Sequence, residues 1–240
     1  MKKNVIVTGV TGQDGSYMVE HLLANTDYNI FGGVRRLSVP NYKNIQHIKN
    51  KRFKLIDLDL SDVHSIHEAI TKYKPSYFIN FAAQSFVGAS WSFPQQTFDV
   101  NATAVLHILE CLRKHAPDCR LYNAGSSEEF GNIKYVPQDE KHPSEPRNPY
   151  AVSKCSARQF IKIYRESFNL FAIQCWLFNH ESPRRGIEFV TRKITNGVAK
   201  IHLAYKNNKK PEPITLGNLN AQRDWTDARD CVRLIWDILN

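Results

Sequence analysis

Tyr150 and Lys154 in NPYAVSK (residues 148–154) stand four residues apart, one helical turn, which puts both side chains on one face of a helix. A phenol beside an ammonium can act as a general base toward a hydroxyl group. The positive charge favours the phenolate and draws its pKa below the ordinary value of about 10. The same spacing recurs at Tyr205 and Lys209 in YKNNKKPEP, where Asn, Lys and Pro mark an exposed loop. With ten tyrosines in 240 residues, composition alone is expected to yield about one such pair. The spacing therefore gains meaning only from the elements that position it.

Those elements alternate. NVIVTG (4–9) is a β-branched apolar run that stops at glycine, the pattern of a buried parallel strand. YNIFGGV (28–34), RFKLIDLDL (52–60), SYFINFAA (76–83), CRLYNAGSS (119–127) and LFAIQCWLF (170–178) read as further strands. Helical spacing fills the intervals at 16–25, 62–73, 97–115 and 149–167. Alternation of this kind predicts an α/β fold with a Rossmann-type, doubly wound parallel sheet, whose ligands bind at the carboxyl ends of the strands. No internal repeat is visible. A last helical pattern, TDARDCVRLIWDILN (226–240), ends within its apolar period, so the chain reads as cut short of a complete second domain.

The first strand runs into TGVTGQDGSYM (8–18), with Gly9, Gly12 and Gly15 at three-residue spacing. A glycine turn between strand and helix lets backbone approach a pyrophosphate, and the helix N-terminus supplies N–H groups and a positive dipole. A bare glycine triplet is equally compatible with simple turns; its place at the first strand–helix junction favours a dinucleotide. The end of the second strand decides which one. A carboxylate for the ribose 2′-hydroxyl is absent there, and GGVRRLS puts Arg35 and Arg36 in its place. Paired guanidiniums suit a 2′-phosphate, which predicts NADP over NAD; a solvated basic loop is the bland alternative. With a dinucleotide at that edge, Tyr150 and Lys154 on the helix after the fifth strand meet AGSSEEFG (124–131) beside the nicotinamide. Tyr150 is then expected to take a hydroxyl proton as hydride leaves carbon for NADP, with Lys154 lowering its pKa and the Ser126 hydroxyl donating to the same oxygen.

Composition narrows the class. With 42% hydrophobic and 23% charged residues the chain is ordinary and globular. No apolar run approaches the eighteen or so residues of a membrane span, and the run after MKK ends too early for a signal peptide, so a cytoplasmic protein is expected. Five scattered cysteines and nine histidines without H-E-x-x-H give neither a disulfide framework nor a metal site. The net charge of +9 implies an anionic partner. The basic residues are dispersed without interleaved aromatics, which argues against nucleic acid and for a phosphorylated small molecule.

The glycine loop, the Ser126/Tyr150/Lys154 set and FAAQSF (81–86) resemble extended short-chain dehydrogenase/reductases. More narrowly, TGQDGSY, VRRLS, AAQSFV, SSEEFG, NPYAVSK, LFNHESPRRG, FVTRKI and LGNLNAQRDW, in that order from residue 8 to residue 225, resemble the GDP-mannose 4,6-dehydratase family. The resemblance implies that Gly9, Gly12, Gln13, Asp14 and Gly15 hold the pyrophosphate and Arg35 and Arg36 the 2′-phosphate, with Asp59 and Leu60 beside adenine. It places Gln84 and Ser85 under the cofactor ribose and near the sugar, and makes Tyr150, Lys154, His180 and Arg185 further cofactor contacts. Asn179, Val190, Lys193 and Arg223 then hold the GDP-sugar, together with Ser85. Glu128 matches the carboxylate that removes the proton on carbon 5 once carbon 4 is a ketone; the alternative for it is a strand-end surface acid. Ser126 stands where the family commonly has threonine. Glu129 and Phe130 replace an apolar residue and a tyrosine, so a second acid lies beside the expected base. DEKHPSEPRNPY also departs from the family's approach to the tyrosine.

The expectation is a lyase that makes a GDP-4-keto-6-deoxy sugar with NADP, built of an NADP-binding domain (1–178) and part of a GDP-sugar-binding region (179–240), as a homodimer or homotetramer. The rivals are the same chemistry on a GDP-manno-heptose, a related epimerase or reductase, and an NADP-binding module without turnover.

Overall fold

The computed structural model describes residues 2–240. Six short apolar runs form one parallel sheet: β1 (Asn4–Thr8), β2 (Asn29–Val34), β3 (Phe53–Asp57), β4 (Tyr77–Asn80), β5 (Arg120–Ala124) and β6 (Ala172–Cys175). Their order is β3–β2–β1–β4–β5–β6, so the winding reverses between β1 and β4. That reversal opens a crevice at the carboxyl edge. All six strands predicted from the sequence are present, each shorter than its apolar run.

Both faces of the sheet are covered, which is why these strands lack a polar alternation. Val5, Val7, Ile79 and Tyr122 face α1 (Gln13–Asn25), while Ile6, Phe78 and Leu121 face α2 (Val63–Tyr73). Each fully buried aliphatic side chain of this kind stabilises the fold by about 1.5–3 kcal/mol. After β4 come two short helices, α3 (Val87–Ser92) and α4 (Pro94–Phe98). The second continues through a π turn (Asp99–Thr103) into α5 (Ala104–His115). The helix α6 (Pro149–Phe168) starts on an Asn148 cap with Pro149 in its first turn. It packs beside α5, and its Ala157 and Ile161 join the core cluster that α2 also feeds.

The last quarter holds three elements that the sequence pattern does not assign, and a final helix that it does. A parallel pair joins β7 (Asn179–Glu181) to β8 (Trp225–Asp227), and α7 (Val190–Lys206) has no buried residue. The final helix, α8 (Ala228–Leu239), lays Val232, Ile235, Trp236 and Leu239 onto the face that also carries α1. Residues expected to belong to a second domain thus complete the core of the first sheet. No helix among the described residues is long and apolar enough to cross a membrane.

Candidate active site

The crevice begins at the glycine loop. Gly9 has φ of +67°, a conformation L side chains rarely adopt, and a Cβ there would lie 2.8 Å from the Ala82 amide nitrogen. A Cβ at Gly15 would lie 2.4 Å from the Gly9 carbonyl oxygen. Both glycines therefore let β1, β4 and α1 close on one another. Gly12 is the N-cap of α1 and offers no side chain to its first amides, which leaves the positive end of a 13-residue helix facing the crevice.

Gln13, Asp14 and His180 form one cluster across that end. Gln13 Nε2 donates to Asp14 Oδ1 at 3.0 Å and to the His180 carbonyl at 3.1 Å. The His180 ring has Nε2 3.0 Å from Asp14 Oδ2 and Nδ1 2.8 Å from the Phe178 carbonyl. Both ring nitrogens thus face acceptors, an arrangement only the imidazolium satisfies fully. Burial disfavours that charge, but the hydrogen bond to Asp14 and its negative charge outweigh it and raise the His180 pKa above its ordinary value.

Tyr150, Lys154 and Ser126 are buried together, at 8%, 3% and 9% exposure. The Lys154 ammonium lies 5.8 Å from the centre of the Tyr150 ring and donates to the Ala124 carbonyl at 2.7 Å. Burial pushes the Tyr150 phenol up to about 12, against a hydrogen bond with the Ser126 side chain that pulls it down. Burial also pushes Lys154 down to about 8, with Glu129 opposing. The expected depression of the phenol is thus reversed. Desolvation is the largest cause, and the Lys154 ammonium is turned to a backbone carbonyl.

The two neighbouring acids are separated by a single 3₁₀ turn (Ser127–Glu129). Glu128 lines the crevice, and its Oε2 accepts from Asn148 Nδ2 at 3.1 Å. Glu129 is fully buried behind it and paired with Arg158 at 2.5 Å. Only Glu128 can meet a ligand. Asn148 escaped the sequence reading as a site residue; an asparagine before proline at a helix start signals a cap, but not the carboxylate that its amide also binds.

Two cavities meet at Glu128. The smaller, of about 240 Å³, brings together Asp14, Ser85, Ser126, Glu128, Tyr150, Lys154, Asn179, His180, Arg185 and Arg223. The larger, of about 740 Å³, adds Trp91, Arg147 and Asn148 and shares Asn179 and Arg223. Arg185 stacks 3.6 Å from the Phe189 ring centre, and its Nε lies 3.2 Å from Glu181 Oε1, an ion pair without hydrogen-bond geometry. Gln84 is held by Asn101 through both backbone groups, while its Oε1 is buried with no hydrogen-bond partner. Arg35 and Arg36 are exposed just past β2, with Asp59 and Leu60 just past β3, along the same carboxyl edge but outside these cavities. Val190 and Lys193 lie exposed on the first turn of α7 and line neither cavity.

Solved structures share this architecture. A dTDP-glucose 4,6-dehydratase from Bacillus anthracis in complex with NAD superposes with a TM-score of 0.81 at 22% identity, over 99% of this chain and 71% of that one. The UDP-glucose 4-epimerase of Thermus thermophilus in complex with NAD gives 0.81 at 23%, over 98% and 74%. At such identity the likeness speaks to fold. Sequence relatives are nearer: GDP-mannose 4,6 dehydratase 2 of Arabidopsis thaliana is 44% identical over 99% of this chain and 65% of its own length. The Drosophila melanogaster enzyme of that name is 42% identical over 99% and 61%, and the Homo sapiens one 40% identical over 98% and 64%. The chain thus spans a little under two thirds of the length of these relatives. A profile of the GDP-mannose 4,6 dehydratases matches residues 6–240, and the chain belongs to that family.

Proposed function

We propose that the chain is the catalytic part of an NADP-dependent GDP-mannose 4,6-dehydratase. The observation that carries the reading is the convergence of Ser126, Tyr150 and Lys154 with a crevice-facing carboxylate, Glu128, at the edge where α1 opens. The B. anthracis and T. thermophilus structures carry NAD, which supports a nicotinamide cofactor; the exposed Arg35 and Arg36 favour NADP. Gly9, Gly12 and the first turn of α1 would hold its pyrophosphate, and Gln84 and Ser85 its ribose. When bound, NADP would accept hydride from carbon 4 of the sugar and return it to carbon 6.

Tyr150 takes the proton of the carbon 4 hydroxyl, steered by Ser126, and Lys154 supplies positive charge beside it. The carbon 4 ketone acidifies the carbon 5 proton. Glu128 takes that proton and returns it to the hydroxyl that leaves carbon 6 as water. Asn148 holds the Glu128 carboxylate in place through Oε2. We assign GDP-sugar binding to residues 179–240, through Asn179, Val190, Lys193 and Arg223, with Ser85 contributing from the nucleotide half. The assembly is a homodimer or homotetramer.

Turnover with trace NADP tests the reading. GDP-mannose should lose one water mass with no net gain in NADPH absorbance, and GDP-manno-heptose run in parallel identifies the sugar. Glu128→Gln, nearly isosteric but unable to accept a carbon-bound proton, should let NADPH accumulate without loss of water. Tyr150→Phe should yield neither. Stoichiometric NADPH from the unmodified enzyme, or full turnover by Glu128→Gln, refutes the assignment.

A further inference from the structure

One level of the sheet is polar from end to end. Thr8 sits opposite Asn80, Asn80 opposite Asn123, and Asn123 opposite Gln174. All four are buried. Their side chains are joined in a line: Thr8 Oγ1 donates to Asn80 Oδ1 at 2.5 Å, Asn80 Nδ2 to Asn123 Oδ1 at 2.7 Å, and Asn123 Nδ2 to Gln174 Oε1 at 2.7 Å. Gln174 Nε2 then donates to Glu129 Oε1 at 3.1 Å and to the Lys154 carbonyl at 2.9 Å. Every link donates in the same direction, so the dipoles add and end on a carboxylate.

Both ends of the line touch the site. At one end Thr8, beside Gly9, accepts from the Ala82 amide at 3.1 Å. At the other, Glu129 accepts from the Ser126 amide at 2.8 Å and from Arg158 Nε at 2.5 Å. Arg158 lies 3.8 Å from the Trp176 ring centre and donates to the Gln174 carbonyl at 2.7 Å. An aliphatic row would fill this level at less desolvation cost than four polar side chains and the Glu129–Arg158 ion pair. What the polar row adds is fixed geometry, because displacing any member leaves a buried hydrogen-bonding group without its partner.

We propose that Glu129 is a positioning residue: with Arg158 as counter-ion, it anchors the end of a polar ladder that fixes the Ser126 amide and the backbone of Lys154 in register with the glycine loop. This rests on the reading of Ser126, Tyr150 and Lys154 as the oxidation centre. It also assigns the two neighbouring acids distinct work, Glu128 toward substrate and Glu129 toward the enzyme.

Two variants test it. Glu129→Gln keeps the shape but removes the charge, and Glu129→Leu/Arg158→Leu removes both charges so that neither is orphaned. Without substrate, hydrogen exchange in the peptide spanning 120–130 should quicken in both, with β1 and β2 as protected as before. On rapid mixing with NADP and GDP-mannose, the first appearance of NADPH should slow by roughly a hundredfold, the scale of a misplaced reacting pair. The sugar KM should stay within about twofold.

A full-rate first step followed by stalled NADPH would make Glu129 the elimination base and overturn the proposal. Full activity with only a lower melting temperature would reduce it to a structural pair and overturn it as well. If the unmodified enzyme does not oxidise the sugar, the functional reading fails, and the exchange result alone decides: unchanged exchange in 120–130 refutes the ladder. Should the double variant unfold, Gln174→Met cuts the line one link earlier without removing a charge and carries the same expectations.

Discussion

Arg35 and Arg36 make no ion pair or side-chain hydrogen bond among the described residues, so both guanidiniums are available to a dianion. Charge-assisted bonds contribute about 1.5–3 kcal/mol each, less where water competes. Arg35→Ala/Arg36→Ala should therefore weaken NADP binding by roughly ten- to a hundredfold and leave NAD nearly unchanged. Titration of both cofactors checks this, and equal affinities in the unmodified protein would contradict the NADP assignment. His180 offers a second measurement. Its folded pKa is raised by Asp14, so its pairing stabilises the fold fully below the unfolded value of about 6.5 and is lost as pH rises through the folded pKa. Melting temperature should show a step downward over that alkaline window, and Asp14→Asn should flatten it. A profile unaffected by Asp14→Asn would mean that His180 is neutral throughout. At this scale spacing and family pattern single out Tyr150, Lys154, Ser126 and Glu128 as candidates, and the structure brings all four to one cavity. The sequence did not reveal the direction of the Tyr150 shift, because desolvation is set by tertiary burial. Nor did adjacency tell Glu128 from Glu129, since one 3₁₀ turn sends the first to the crevice and the second into the core.

Between elements, the π turn at 99–103 matters most for the site. Residues 97–115 read as a single helix from their apolar period, because one wider turn with helical spacing on either side is too short to show as a break. It turns Asn101 inward, where the side chain accepts from the Gln84 amide at 2.9 Å and donates to the Gln84 carbonyl at 3.0 Å and to Ser153 Oγ at 3.1 Å. One asparagine thereby ties the loop after β4 to α6. Asn101→Leu strands the two Gln84 backbone groups and should cost about 2–3 kcal/mol, a melting temperature lower by roughly 5–10 °C. A shift of less than about 1 °C in thermal denaturation would mean the loop holds itself. The strands β7 and β8 were not legible because three residues carry no period. The helix α7 was missed for another reason: Ile194, Val198 and Leu203 stay exposed, so its pattern answers to no core in this chain.

Across the whole molecule, alternation of strands and helices predicted the sheet. The reversal between β1 and β4 put the glycine loop and the Tyr150 helix at one edge, as that topology requires. The sequence reading ended the nucleotide-binding half at residue 178, yet α8 returns to bury Trp236 against Tyr28 and Tyr77. That return depends on a contact between distant segments, which local periodicity does not carry. The proposed chemistry requires one crevice to oxidise carbon 4 and reduce carbon 6 without exchanging its cofactor. The most direct measurement follows deuterium placed on carbon 4 of GDP-mannose, with the product's carbon 5 and carbon 6 read by NMR and mass spectrometry. The proposed chemistry places the deuterium at carbon 6 and a solvent-derived proton at carbon 5. Deuterium lost to solvent, or recovered in free NADPH with carbon 6 still bearing its hydroxyl, would contradict it.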